Sequence, residues 1–228
     1  MENPVYYQQK RRLLSRLRKE VSDKRVIDAM ECVPREAFIP EASRQLAYED
    51  IPLPIGEAQT ISQPQIVALM VASLNLRPED RVLELGTGSG YQAAVLSLIA
   101  WQVVTTERHP SLASEAGARL DSLGYHNVSV RQAGDILGCP DETPFDAIIV
   151  AAGAPRLPRA LLDQLVDGGR MVIPVGSRSE QDLLLVVKTD DGFAVSNLGP
   201  CRFVPLVGPG AWQDGEGDYS DEMDLPNG

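Results

Sequence analysis

Apolar positions along the chain change period several times, and each change predicts an element. From Gln8 to Met30, Leu13, Leu14, Leu17 and Val21 recur at helical spacing among basic residues, which predicts a helix across the stretch. Val33 to Gly56 is proline-rich with no sustained period. It reads as an irregular wrap with short helical turns, held near a ligand by Phe38, Ile39, Tyr48, Ile51 and Leu53. Ala58 to Leu74 begins with Thr60-Ile61-Ser62 and then turns helical. Apolar runs at Val82 to Leu85, Gln102 to Thr106, Asn127 to Gln132, Phe145 to Ala151 and Arg170 to Val175 read as strands. Tyr91 to Ala100, Ser111 to Leu123 and Leu157 to Leu165 read as the helices between them. Asp182 to Lys188 and Phe193 to Leu206 alternate about Asp190-Asp191-Gly192, a hairpin signal. The predicted fold is α/β: a doubly wound, mostly parallel sheet with a C-terminal β-hairpin and an N-terminal helical cover. Three parts are expected: a cover over residues 1–57, the sheet domain over 58–208, and an acidic disordered tail over 209–228.

Composition adds limits. A chain of 228 residues with 43% hydrophobic content can bury one full core. No apolar run is long enough to cross a bilayer, so no membrane is expected. Cys32, Cys139 and Cys201 are widely spaced, which suits a reducing, cytoplasmic compartment rather than a disulfide framework. The formal charge is −11, and it stays negative without the six acids of the last stretch, so a nucleic-acid partner is disfavoured.

The chemistry centres on Arg81 to Gln92, RVLELGTGSGYQ. A buried strand ends at an acid, Glu84, and glycines follow at every second place: Gly86, Gly88 and Gly90. A strand, a glycine loop and a helix N-terminus in that order hold nucleotide-like ligands. A dinucleotide fingerprint would need glycine at position 91, where Tyr91 stands. The E-x-G-x-G-x-G spacing resembles the first motif of S-adenosylmethionine methyltransferases. Glu107 ends the next strand about twenty residues on, where an acid can accept both hydroxyls of a ribose. Asp135 ends the third strand and could accept from an adenine amino group. Ser62, with Pro64 and Gln65, fits a capping box; its hydroxyl could instead meet a substrate. Asp141, Glu142 and Asp146 read as solvated, and no metal site is expected. No side chain stands out as a general base, which suits an acceptor already ionised at neutral pH, such as a carboxylate.

The segments VPREAFIP, AYEDIPLPIG, QTISQP, VLELGTGSGYQAAVL, FDAIIV, GGRMVIPVG and RFVPL resemble, in order and spacing, the protein-L-isoaspartate O-methyltransferase family, from about Val33 to Leu206. The resemblance implies a Rossmann-like S-adenosylmethionine methyltransferase, releasing S-adenosylhomocysteine. It would act on isoaspartyl residues of damaged proteins and peptides, whose methyl ester closes to a succinimide. It implies Ser62 as the active-site serine, with Thr60, Ile61 and, in the closing segment Arg202 to Leu206, Val204 on the substrate. It places the cofactor on Glu84, Gly86, Thr87, Gly88, Ser89 and Gly90, on Glu107 with Arg108, and on Asp135 with Ile136. A monomer is expected. The chain departs from the family pattern at Ala58, where glycine is usual, at Gln65, at Ile136 and at Ala151-Ala152-Gly153, which replaces a Thr-Ala-Ala-like run. Two competing readings are a carboxyl methyltransferase for normal aspartate in one dedicated peptide, and a non-catalytic binding module.

Overall fold

The structure, a computed structural model, describes residues 4–213. The helix expected across Gln8 to Met30 is two helices, α1 (Pro4–Glu20) and α2 (Lys24–Cys32). The break has a local cause. Asp23 takes an extended conformation and caps α2, accepting from the Arg25 N–H at 2.9 Å. Its side chain also pairs with the Arg25 guanidinium, which holds the carboxyl below its ordinary range. The wrap forms two 3-10 turns, Arg35–Phe38 and Glu41–Leu46. It then closes into an unexpected hairpin of β1 (Leu53–Gly56) and β2 (Gln59–Ile61).

Helix α3 (Pro64–Ser73) leads into β3 (Arg81–Leu85), followed by α4 (Tyr91–Ser97), β4 (Gln102–Glu107), α5 (Pro110–Ser122) and β5 (Val128–Gln132). Then come β6 (Phe145–Val150), α6 (Arg159–Leu162), β7 (Leu165–Gly176), β8 (Gln181–Thr189) and β9 (Gly192–Cys201). The helix expected from Leu157 to Leu165 is thus a single turn, and β7 begins well before Arg170. The main sheet has the order β5-β4-β3-β6-β7-β8-β9. The strands from β5 to β7 are parallel and the last three run antiparallel, as the hairpin signal suggested.

The central parallel strands β3 and β6 are largely apolar on both faces because both are covered, whereas β5, at the sheet edge, is half-exposed. Val82, Ala147, Ile149 and Val172 pack with α1 to α4 on one side. Leu83, Leu85, Ile148, Val150 and Ile173 pack with α6 and the C-terminal segment on the other. The chain leaves β3 for β4 on one flank, and β6 lies on the other. The C-terminal ends of β3 and β6 therefore face a crevice where the direction of winding reverses, the usual ligand position in open α/β sheets.

The tail expected from Pro209 needs correction. Ala211 and Trp212 are buried, and the Trp212 N–H donates to the Leu206 carbonyl at 3.0 Å. Apolar burial holds this strap despite its glycines. The acidic stretch itself, from residue 214 onward, lies outside the described residues.

Candidate functional site

The glycine loop connects β3 to α4 at the crevice. Gly86 and Gly88 have φ of 90° and 51°, values that a side chain disfavours. A Cβ on Gly88 would meet Ile55 of β1 at 3.2 Å, so the hairpin sits directly over the loop. The loop is fastened to β4. The Gly86 and Thr87 N–H groups donate to the Thr106 carbonyl, at 2.9 and 3.2 Å. The Gly88 N–H donates to Glu107 Oε2 at 2.8 Å, and the His109 N–H donates to Oε1 at 2.9 Å.

A cavity of about 220 Å³ opens above the loop. Of the residues expected on the cofactor, Gly86, Thr87, Gly88, Ser89, Glu107, Arg108 and Ile136 line it. Three do not. Glu84 is fully buried in β3, beneath the loop. Gly90 packs away from the cavity, against Leu120 and Ala116 of α5. Asp135 is exposed, between the lining residues Gly134 and Ile136. Thr105 Oγ1 donates to Glu84 Oε2 at 2.6 Å and contacts the Thr87 hydroxyl at 2.7 Å, while Glu84 Oε1 has no partner. Burial pushes the Glu84 carboxyl up to about 8, against the Thr105 and Gln92 side chains, with the Glu107 charge adding to the rise.

A second cavity, of about 550 Å³, adjoins the first. Thr60, Ser62, Ala151, Val204 and Pro205 line both. Ile61 lines the first alone, and Gln65 lines neither. The capping role expected for Ser62 is not what the structure shows. Gln63 occupies the cap position of α3 without a side-chain bond. The Gln65 N–H donates instead to Asp50 Oδ1 at 2.8 Å, and Asp50 pairs with Arg16 of α1 at 3.1 Å. A carboxylate from the wrap supplies the cap, which releases the Ser62 hydroxyl from that duty.

The C-terminal segment reaches the site by backbone pairing. The Gly153 N–H donates to the Val204 carbonyl, and the Leu206 N–H donates to the Gly153 carbonyl, both at 2.8 Å. Gln181 Oε1 accepts from the Phe203 N–H at 2.7 Å. A Cβ on Gly153 would lie 3.0 Å from the Gln181 side-chain carbonyl carbon. The smaller residue in the Ala151-Ala152-Gly153 run is therefore matched to Gln181.

Sequence reading missed several wall residues. Gln59 and His109 line the first cavity, as do Leu137 and Gly138. The Leu137–Cys139 loop is held by buried Gln164, whose Nε2 donates to the Leu137 carbonyl and whose Oε1 accepts from the Cys139 N–H, both at 2.8 Å. A lone glutamine before a strand carries no signal of such a contact. Asp146 and Glu142, expected to be solvated, are instead bonded, to the Arg81 N–H and to Arg131.

The first cavity has the donor set that S-adenosylmethionine requires. It offers a glycine backbone cradle, a carboxylate whose oxygens can each accept a further hydrogen bond, and an apolar wall at Ile136 and Leu137. The model of one methyltransferase family, protein-L-isoaspartate(D-aspartate) O-methyltransferase, matches residues 8–210. The chain belongs to that family. Within the family, it is 54% identical over 193 residues to protein-L-isoaspartate O-methyltransferase 1 of Syntrophobacter fumaroxidans, covering 85% of this chain and 90% of the relative. It is 53% identical over 203 residues to the protein-L-isoaspartate O-methyltransferase of Syntrophotalea carbinolica, covering 89% and 93%. Among solved structures, it superposes on a protein-L-isoaspartate O-methyltransferase with a TM-score of 0.77 at 30% identity, covering 87% of this chain and 66% of that one. A Plasmodium falciparum structure, described as a putative family member in complex with S-adenosyl-L-homocysteine, gives 0.72 at 26% identity, covering 84% and 95%.

Proposed function

We propose that this protein transfers a methyl group from S-adenosylmethionine to the free α-carboxylate of L-isoaspartyl residues in damaged proteins and peptides. The observation that carries the reading is the common wall of the two cavities, where Thr60, Ser62 and Val204 border both. The first cavity would hold the cofactor: the loop from Gly86 to Ser89 takes its amino-acid part, Glu107 its ribose, and Ile136 its adenine face. Bound there, the cofactor supplies a sulfonium-activated methyl group.

The chain's own work is placement. An isoaspartyl carboxylate is ionised at neutral pH and needs no general base. Holding it in line with the methyl group can supply roughly 7–11 kcal/mol of the barrier. Ser62 and Thr60 offer hydroxyl donors to the carboxylate at the wall, and Val204 with Ile61 excludes water beside them. Cys201 lines the second cavity but does not compete as a nucleophile, because burial, with Asp182 nearby, pushes its thiol up to about 11. The ester product closes to a succinimide without further help, and hydrolysis of that ring partly restores aspartate.

We further place the protein in the cytoplasm as a monomer acting on proteins, not on nucleic acid or membrane. Its charge of −11 and its three unpaired cysteines support this. Among the described residues no helix is long and apolar enough to cross a membrane.

The test uses methyl-labelled S-adenosylmethionine and two peptides differing only in aspartate or isoaspartate. Base-labile label is expected on the isoaspartyl peptide alone. Label on the aspartyl twin would favour a dedicated-peptide enzyme, and no transfer with the cofactor bound would sink the reading. Ser62→Ala is expected to lower kcat at least tenfold with cofactor affinity unchanged. Unchanged turnover would remove Ser62 from the chemistry.

A further inference from the structure

Arg35 is fully buried, with 0% of its surface exposed, in the 3-10 turn Arg35–Phe38. A buried cation costs several kcal/mol unless it is paired and hydrogen-bonded. Among the described residues no carboxylate forms an ion pair with it. Two carbonyls and a ring face compensate the charge at close range, and the Asp50 carboxylate adds to this from farther off. Arg35 Nε donates to the Ala47 carbonyl at 2.9 Å, and Nη2 donates to the Ser62 carbonyl at 2.7 Å. The guanidinium carbon stands 4.6 Å from the centroid of the Tyr91 ring. Nη1 makes no hydrogen bond, and burial draws the pKa below the usual arginine value.

The three partners belong to three different parts of the site. Ala47 lies in the N-terminal cover. Ser62 lies in the wall between the two cavities. Tyr91 is the first residue of α4, directly after the glycine loop, and lines the first cavity. One rigid, planar group thus spans the cover, the acceptor side and the cofactor side. If packing alone were at stake, an apolar side chain would fill this volume without the cost of a buried charge.

We propose that Arg35 is a positioning residue for methyl transfer. Its fork holds the Ser62 segment at a fixed distance from the start of α4, so that the acceptor carboxylate and the cofactor methyl group meet in line. This rests on the function proposed above. Lysine cannot replace it, because a single ammonium does not reach both carbonyls while lying flat on a ring. A displacement of about 1 Å at a reacting centre can cost roughly a hundredfold in rate.

The test compares full-length wild type with Arg35→Lys and Arg35→Gln, working below the melting temperature of each. Three quantities are read: affinity for S-adenosylhomocysteine, kcat and KM on the isoaspartyl peptide, and amide hydrogen exchange over residues 59–65 and over β3. Both variants are expected to bind S-adenosylhomocysteine within about threefold of wild type and to lose roughly 10–100-fold in kcat. Exchange should quicken over 59–65 and stay unchanged in β3. A folded Arg35→Lys with full kcat overturns the proposal. So does a kcat loss matched by an equal loss of S-adenosylhomocysteine affinity, or unfolding of both variants, since each assigns Arg35 to stability alone. If wild type itself transfers no methyl group, the function proposed above fails; the exchange pattern then still decides whether Arg35 pins the Ser62 segment.

Discussion

Glu84 is the residue whose sequence reading changed most. Its place at the end of the strand suggested a ligand contact, yet it lies under the glycine loop with one oxygen bonded to Thr105 and the Gln92 side chain beside the carboxyl. The acid is raised from its ordinary 4.5 to about 8. Between those values the folded chain holds a proton that the unfolded chain has shed. Stability present in acid is therefore lost as pH rises through that window. Glu84→Gln keeps the shape and removes the titration. Its stability relative to wild type should improve from pH 5 to pH 8 by roughly 1–3 kcal/mol. Urea denaturation at the two pH values measures this, and parallel losses in both proteins would show that Glu84 does not titrate there.

At the scale of the element, the β1–β2 hairpin has most to explain. Its two turn residues, Glu57 and Ala58, have φ of 49° and 54°, a left-handed pair that normally calls for asparagine or glycine. Glu57 is anchored beyond the hairpin: Ser111 Oγ of α5 donates to its Oε1 at 2.7 Å, and His109 stands 3.9 Å from Oε2. That contact ties the hairpin tip to the far side of the cofactor cavity, but Ala58 has no such reason to be strained. Ala58→Gly should stabilise the protein by about 0.5–1 kcal/mol, the left-handed strain less the extra freedom of unfolded glycine. A thermal melt will show it; a drop in melting temperature would mean that the turn is relaxed with alanine. The same residues explain why the hairpin was not legible in the sequence. A turn without glycine or asparagine at its centre carries no turn signal. The Asp50 cap on α3 was equally hidden, because a cap drawn from fifteen residues away leaves no local motif. The glycine loop, the five parallel strands and the C-terminal hairpin were legible because each depends on spacing within a few residues.

At the scale of the whole molecule, the site is closed from two sides, by the N-terminal cover and by the strap that follows β9. The cover reaches it through Arg35 and Ile55, and the C-terminal strap through Val204 and Leu206. Trp212, 1% exposed, holds the strap: its carbonyl accepts from the Gly208 N–H at 3.0 Å, and Arg178 lies over its ring at 4.7 Å. Trp212→Ala should cost about 3–5 kcal/mol of stability. Because Leu206 lines the first cavity, cofactor affinity should fall with it. Calorimetric titration with S-adenosylhomocysteine reads the second effect, and a destabilised variant with unchanged affinity would separate the strap from the site. Such long-range closure escapes sequence reading, since a tryptophan among glycines and acids looks like part of a tail.

The fit between Gly153 and Gln181 constrains how this chain can change. A methyl group at position 153 would press on the glutamine at 3.0 Å, so that side chain would have to give by a few tenths of an ångström. The same glutamine spends its oxygen on the Phe203 N–H, so any shift at 181 is passed to the segment that closes the site. An alanine at 153 is therefore best accommodated together with a change at 181. Residues 153 and 181, twenty-eight positions apart, should be inherited as a pair.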